Sequence, residues 1–313
     1  MQKVIYNSYT NYIKNNFAER YQKISLDAGF TCPNRDGFKA RGGCTYCNNN
    51  SFNPFYCNSS KSITQQLNEG IAFFEQKYPN QQYLAYFQAY SNTYAPLNIL
   101  REKYGEALAH PKISGLIIGT RPDCVSLEIM EYLAELSQKN HLVLEFGIES
   151  TSDKTLERIN RAQTFAETIE AFELAKKYGI KTGGHIILGL PGESRAEMLE
   201  HAKKIAQLPI YFLKIHQLQI IRGTKMAQDY LLNKSEYQLF GMEEYVEFVA
   251  RFVSFLREDI VIERFTSESP GNLLIAPKWG RLKNYQIVHL IENEMIRQEL
   301  FQGKFYNTYE SNS

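Results

Sequence analysis

Short apolar runs alternate with amphipathic stretches up to about residue 225, and no other feature constrains the fold as much. The runs Lys23–Asp27, Tyr83–Ala89, Gly115–Arg121, Leu142–Glu149, Lys181–Leu188 and Phe212–Ile221 read as strands. Helical stretches between them give the pattern of successive βα units around a parallel sheet. Three helix starts have the S/T-x-x-E/Q capping-box form: Ser62-Ile63-Thr64-Gln65, Thr164-Phe165-Ala166-Glu167 and Ser194-Arg195-Ala196-Glu197. Ile63, Leu67, Ile71 and Phe74 fall on one face of the first helix, and Phe165, Ile169 and Phe172 on one face of the second. Pro79, Pro111 and Gly179 sit where helices should give way to strands. Six such units fall short of a closed eight-stranded barrel. The expected class is therefore α/β, an open partial (β/α)6 TIM-like barrel that gathers ligands at the carboxyl ends of its strands.

The rhythm changes after residue 225. A helical stretch over Met242–Leu256, an extra strand over Ile260–Phe265, the segment Ser267-Glu268-Ser269-Pro270-Gly271 and a last helix near Asn284–Gln298 follow. The expected organisation is a barrel core with its N-terminal segment over 1–225 and a C-terminal α/β extension over 226–313, packed on the barrel.

Charge is nearly balanced over the 313 residues, 35 basic against 34 acidic, so no global basic field points to nucleic acid. Locally the first 41 residues are positive, with Lys3, Lys14, Arg20, Lys23, Arg35, Lys39 and Arg41 against Glu19, Asp27 and Asp36. This reads as a solvated face, or as an arm that tracks phosphates. Met1–Thr10 is too polar for a signal peptide, and no apolar run approaches a membrane span. Five cysteines, an odd number crowded toward one end, do not form a secreted disulfide framework. A cytoplasmic protein with no membrane partner is expected.

Cys32, Cys44 and Cys47 are spaced C-x11-C-x2-C, and Gly37, Gly42 and Gly43 give their loop the freedom to fold tightly. Three thiolates suit a [4Fe–4S] cluster with one iron left without a protein ligand. A structural zinc would need a fourth ligand, for which Cys57 is the nearby candidate. Unligated thiols are the third reading.

Further blocks add to the cysteines. Gly119-Thr120-Arg121-Pro122-Asp123, Leu144-Glu145-Phe146-Gly147-Ile148-Glu149-Ser150 and His185-Ile186-Ile187-Leu188-Gly189-Leu190-Pro191-Gly192-Glu193 follow in that order. With Cys44-Thr45-Tyr46-Cys47, the chain over residues 20–225 resembles the radical S-adenosylmethionine superfamily. The long first gap is shared with its YhcC/YtqA-like branch, related to the Elongator catalytic subunit. The resemblance implies a [4Fe–4S] cluster on Cys32, Cys44 and Cys47. Its free iron would chelate S-adenosylmethionine, and an electron from a donor such as flavodoxin or ferredoxin would release a 5′-deoxyadenosyl radical.

The same resemblance places the cofactor contacts at Tyr46 in the cysteine loop, Gln88, Glu149, Ser150, Arg161, His185 and Gly189. Glu149 would accept from ribose hydroxyls, Arg161 would face the methionine carboxylate, His185 would touch the ribose and Gly189 the adenine. Each has a plainer reading: a helix N-terminal acid, a surface ion pair, a core histidine, a turn glycine. Gln88-Ala89-Tyr90-Ser91-Asn92-Thr93 stands where the family often carries a Gly-Gly-Glu-like motif, so the amine contact falls to Gln88 or to backbone carbonyls. Cys57 and Cys124 are spare thiols, Cys124 more simply a small buried residue. Lys278-Trp279-Gly280-Arg281 offers a nucleic-acid contact. By analogy with the Elongator subunit, the substrate is tRNA, with reaction at the wobble-uridine C5 side chain. The sequence lacks that subunit's acetyltransferase domain, which favours remodelling of an existing side chain over acetyl addition. A small metabolite or tetrapyrrole is the alternative substrate, and a zinc-stabilised non-enzymatic binding protein the alternative class.

Overall fold

The computed structural model describes residues 5–79, 81–280 and 282–306. Its strands are β1 (Tyr21–Leu26), β2 (Gln82–Phe87), β3 (Ile113–Thr120), β4 (His141–Glu149), β5 (Lys181–Leu188), β6 (Phe212–Gln217), β7 (Ile220–Ile221), β8 (Val261–Arg264) and β9 (Leu274–Ala276). The helices are α1 (Tyr9–Asn16), α2 (Ile63–Glu75), α3 (Leu97–Leu108), α4 (Leu127–Ser137), α5 (Asp153–Arg158), α6 (Phe165–Lys177), α7 (Arg195–Ala206), α8 (Lys225–Leu232), α9 (Met242–Ser254) and α10 (Asn284–Arg297). β1 to β6 and then β8 form one seven-stranded, wholly parallel sheet. It is an α/β partial barrel whose successive strands are joined through helices. None of the described helices is long and apolar enough to cross a membrane.

The six expected strands are present, with one division. The run Phe212–Ile221 splits after Gln217, where the chain leaves the sheet and Ile220–Ile221 pairs antiparallel with β9. The stretch after residue 225 does more than pack on the barrel, because its strand β8 is hydrogen-bonded to β6 as the seventh strand. β1 and β8 stand at opposite edges of the sheet order. Lys23 of β1 nonetheless reaches Glu263 of β8 at 2.6 Å across the opening.

Helix starts follow the sequence closely. Thr164 with Glu167 and Ser194 with Glu197 form reciprocal capping boxes, whereas Ser62 accepts from the Gln65 amide without the return bond. Ile63, Leu67 and Ile71 are buried on α2 as expected. Ile169 is not: it is 42% exposed, and the buried face of α6 runs through Thr168, Ala171, Phe172 and Ala175. One residue of phase, about 100°, turns it away from the sheet.

The N-terminal segment also differs from a solvated basic arm. It contains α1, whose Tyr12 packs edge-on against Phe212 with ring centroids 5.0 Å apart. Tyr12 joins Leu84, Ile117, Val143, Phe212 and Val261 in an apolar layer at the amino ends of the strands. Lys23 lies inside the barrel above that layer, paired with Glu263 and Glu145. Lys3 and Arg281 lie outside the described residues.

His141 opens β4 beside the Phe17 ring, with centroids 5.2 Å apart. Burial, then Lys181 and Lys23, push its pKa down to about 4. Between about pH 6.5 and 4 the unfolded chain binds a proton there that the folded chain refuses, so stability falls as pH falls through that window. His141→Phe should flatten this part of the acid profile, measured as melting temperature at pH 7 and pH 5. An unchanged difference between the two pH values would remove His141 from the account.

Candidate active site

The cysteine loop leaves β1 and folds back on itself. The amides of Arg35 and Asp36 donate to the Cys32 carbonyl at 2.8 and 3.2 Å, and Cys47 donates to the Cys44 carbonyl at 3.0 Å. Gly42 and Gly43 both take φ near +80°, at 84° and 75°, which few L-residues tolerate. The turn is clamped from outside, since Thr45 donates to Ile159 and accepts from Met226, each at 2.9 Å. All three thiols are free and border one cavity of about 280 Å³ at the carboxyl end of the sheet.

No three His, Cys, Asp or Glu side chains among the described residues are already drawn into a closed metal-binding group. Burial, then neighbouring Cys44, pushes the Cys47 thiol up to about 12, so a metal binding there must displace its proton. The fourth zinc ligand considered from sequence is misplaced. Cys57 is buried and borders a separate pocket with Asp27 and Asn53. Three thiols without a fourth are the donor set of a cluster with one open iron, and they fit that group.

β4 supplies the facing wall. Its pairing with β5 shifts register between Gly147 and Glu149, and Glu149 takes φ 65°, so this bulge re-aims the carboxylate toward the cavity. Gly147 leaves room for both groups, because a Cβ there would make the ends of the Glu149 carboxylate and the Arg161 guanidinium shift. Arg161 is buried, not a surface partner. It donates to the Gly147 carbonyl at 2.7 Å and lies 3.6 Å from Cys44 Sγ and 3.7 Å from Glu149. One guanidinium thus ties the cysteine loop to the end of β4, and its Nε is buried without a protein partner among the described residues.

Tyr46, Gln88 and His185 border the same cavity. Ser150 and Gly189 do not. Ser150 is fully buried and donates to Glu193 at 2.5 Å, and Glu193 in turn meets His201 at 3.0 Å. Gly189 occupies a turn at φ 96°, where a Cβ would face Phe240 and Leu218. Cys124 is buried off the wall, and Arg121 is locked onto Asp123 by two bonds of 2.8 and 2.7 Å. Trp279 is held by the core, its indole N–H donating to the Phe240 carbonyl at 2.9 Å.

The cavity floor was not anticipated. Glu145 is 1% exposed and receives Lys214 at 2.7 and 2.6 Å and His185 Nε2 at 3.0 Å. Lys214 also reaches Glu263 at 3.1 Å and the Tyr86 hydroxyl at 3.2 Å. Burial opposes the Glu145 charge, but Lys214 and Lys23 outweigh it and hold the carboxyl well below its usual range. Burial and Arg264 push His216 well below its ordinary value, so the ring stacked 5.6 Å from His185 is neutral near pH 7. Charged residues inside otherwise apolar strands were the available signal, in Glu145 and Lys214 above all.

The radical SAM superfamily profile matches residues 32–205, and the profile of the radical SAM C-terminal domain matches 210–297. YtqA of Bacillus subtilis is 34% identical over 98% of this chain and 95% of its own length. YhcC of Escherichia coli K12 is 34% identical over 89% of this chain and 88% of its own. The tRNA uridine(34) acetyltransferase of Methanocaldococcus jannaschii is 26% identical over 56% of this chain but only 32% of its own length. Among solved structures, an N-terminally truncated archaeal Elp3 from Methanocaldococcus infernus superposes with a TM-score of 0.68 at 17% identity. The match covers 93% of this chain and 68% of that one.

Proposed function

The chain belongs to the radical S-adenosylmethionine superfamily, and from that membership we propose that its cavity performs hydrogen abstraction on a tRNA base, at or near the wobble-uridine C5 side chain. A [4Fe–4S] cluster and S-adenosylmethionine are its cofactors. Together they supply a 5′-deoxyadenosyl radical, able to attack an unactivated carbon that acid–base side chains cannot.

The observation that carries the enzymatic reading is a convergence. Cys32, Cys44 and Cys47 border one cavity with Glu149, Arg161 and His185, at the end of the sheet where barrel enzymes place their chemistry. The three thiolates hold the cluster. Arg161, 3.6 Å from Cys44 Sγ, balances thiolate charge and offers its unused Nε to the methionine carboxylate. Glu149 has acceptor capacity for ribose hydroxyls, and His185, fixed by Glu145, presents its other edge to the same sugar. Gln88, which accepts from Ser25 at 3.1 Å, stands where the amine requires a partner. The apolar layer with Tyr12 closes the far end of the barrel and excludes water from that side.

The tRNA reading is supported by similarity to the uridine(34) acetyltransferase. Acetyl transfer is not carried over, since the match spans a third of that relative. Modified nucleosides from the tRNA of cells with and without this gene test the substrate. The expected result is one hypermodified uridine lost and its precursor gained. Identical nucleoside profiles would refute a tRNA substrate while leaving the cofactor site standing.

A further inference from the structure

β6 and β8 meet at a register shift between Leu213 and Lys214, where Lys214 pairs with Arg264. Strict alternation would send Glu263 and Arg264 to opposite faces of the sheet. The irregularity lets both reach the interior, Glu263 onto Lys214 and Lys23, and Arg264 onto the cavity wall. The interior polar layer then holds three cations, Lys23, Lys214 and Arg264, against two carboxylates, Glu145 and Glu263. The two lysines are consumed by the two carboxylates.

Arg264 is the cation left over. No carboxylate among the described residues lies within ion-pair distance of it. Its bond is to His216, with Nη2 2.8 Å from the ring Nε2, and that neutral ring brings no charge. Its Nε is buried and has no partner among the described residues. The polar groups beside it are spent on one another. Gln217 exchanges bonds with the Ser267 backbone at 2.9 and 3.0 Å, and Gln219 accepts from the Ser269 hydroxyl at 2.7 Å. A buried, unused guanidinium donor is costly unless something accepts from it, and its fork geometry matches carboxylate and phosphate oxygens.

We propose that Arg264 is a substrate-binding residue, holding an anionic oxygen group of the substrate, carboxylate or phosphate, against the floor of the cavity. The inference rests on the reading of this cavity as the substrate chamber and adds the charge of the group that enters it. The anion neutralises the unpaired cation and sets which carbon is presented upward, toward the cysteine end.

The test uses the reconstituted holoenzyme and equilibrium dialysis with three uridine compounds. UMP carries a phosphate, 5-carboxymethyluridine a side-chain carboxylate, and uridine neither. Wild-type protein should bind at least one anionic probe about tenfold or more tighter than uridine, and the probe preferred identifies the source of the anion. Arg264→Gln should abolish the difference, and Arg264→Lys, which keeps charge but not the fork, should retain part of it. Equal binding of all three probes by wild type, or an undiminished preference in the glutamine variant, would overturn the proposal. Iron content and cofactor cleavage by the wild-type preparation report separately on the cofactor reading, so the two failures are distinguishable.

Discussion

Alanine at Cys44 or Cys47 should abolish cluster assembly, with bound iron falling from about four atoms per chain to near zero after anaerobic reconstitution. The structure explains why no other group rescues the loss. Cys57 borders a separate pocket, and Cys124 is buried and does not line the cavity that Cys32, Cys44 and Cys47 border. Cys32→Ala should behave alike, since its thiol borders the same cavity from the start of the loop. Cys57→Ala is the contrast: iron uptake should match wild type. Full iron and an undiminished cluster absorption in the Cys44 variant would show that these three thiols are not the ligand set.

Lys214→Met should cause a large loss of stability. Lys214 is 3% exposed and is the common partner of Glu145 and Glu263. Removing it leaves two carboxylates to share Lys23, and stranding a buried charge costs about 3–5 kcal/mol. For a chain of this size that corresponds to a fall of roughly 5–8 °C in melting temperature. The sign of the pH dependence is also fixed. Glu145 is held below its usual range in the folded state, so its contribution is present above the ordinary carboxylate pKa and is lost as pH falls through the folded value. The deficit of Lys214→Met should therefore be greatest near pH 7 and shrink on acidification. Pairing it with Glu145→Gln should recover much of the loss, giving a coupling that a volume effect at residue 214 would not show. A melting temperature within a degree of wild type would contradict this placement of the charge.

What the sequence made legible follows from which forces act locally. Strand runs, helix caps and turn glycines are written in neighbouring residues, so β1 to β5 and the starts of α6 and α7 could be read within a residue or two. Tertiary pairing is not local. Nothing near Ile220 shows that it leaves the barrel to join Leu274–Ala276, and nothing near Val261 shows that its strand completes the sheet. Phase errors have the same origin, and Ile169 fits an apolar stripe until the sheet selects a face one residue away.

At the site, the cysteine spacing and the Glu149, Arg161 and His185 blocks pointed to one place, and the structure brings them to one cavity. Ser150 and Gly189 lie next to the wall in sequence but do not line the cavity. The interior charges were missed for the opposite reason. Lys23, Glu145, Lys214, Glu263 and Arg264 come from four different strands, and only closure of the sheet makes them one layer. Lys23, read as part of a basic surface, is the clearest instance.

If the three cysteines hold an open-iron cluster, this cavity cleaves S-adenosylmethionine. Anaerobically reconstituted protein, given S-adenosylmethionine and a strong reductant, tests it directly through chromatographic detection of 5′-deoxyadenosine. Wild type should release 5′-deoxyadenosine and methionine, and the Cys44→Ala and Cys47→Ala variants neither. A wild-type protein that takes up zinc in place of iron and releases no 5′-deoxyadenosine would contradict it.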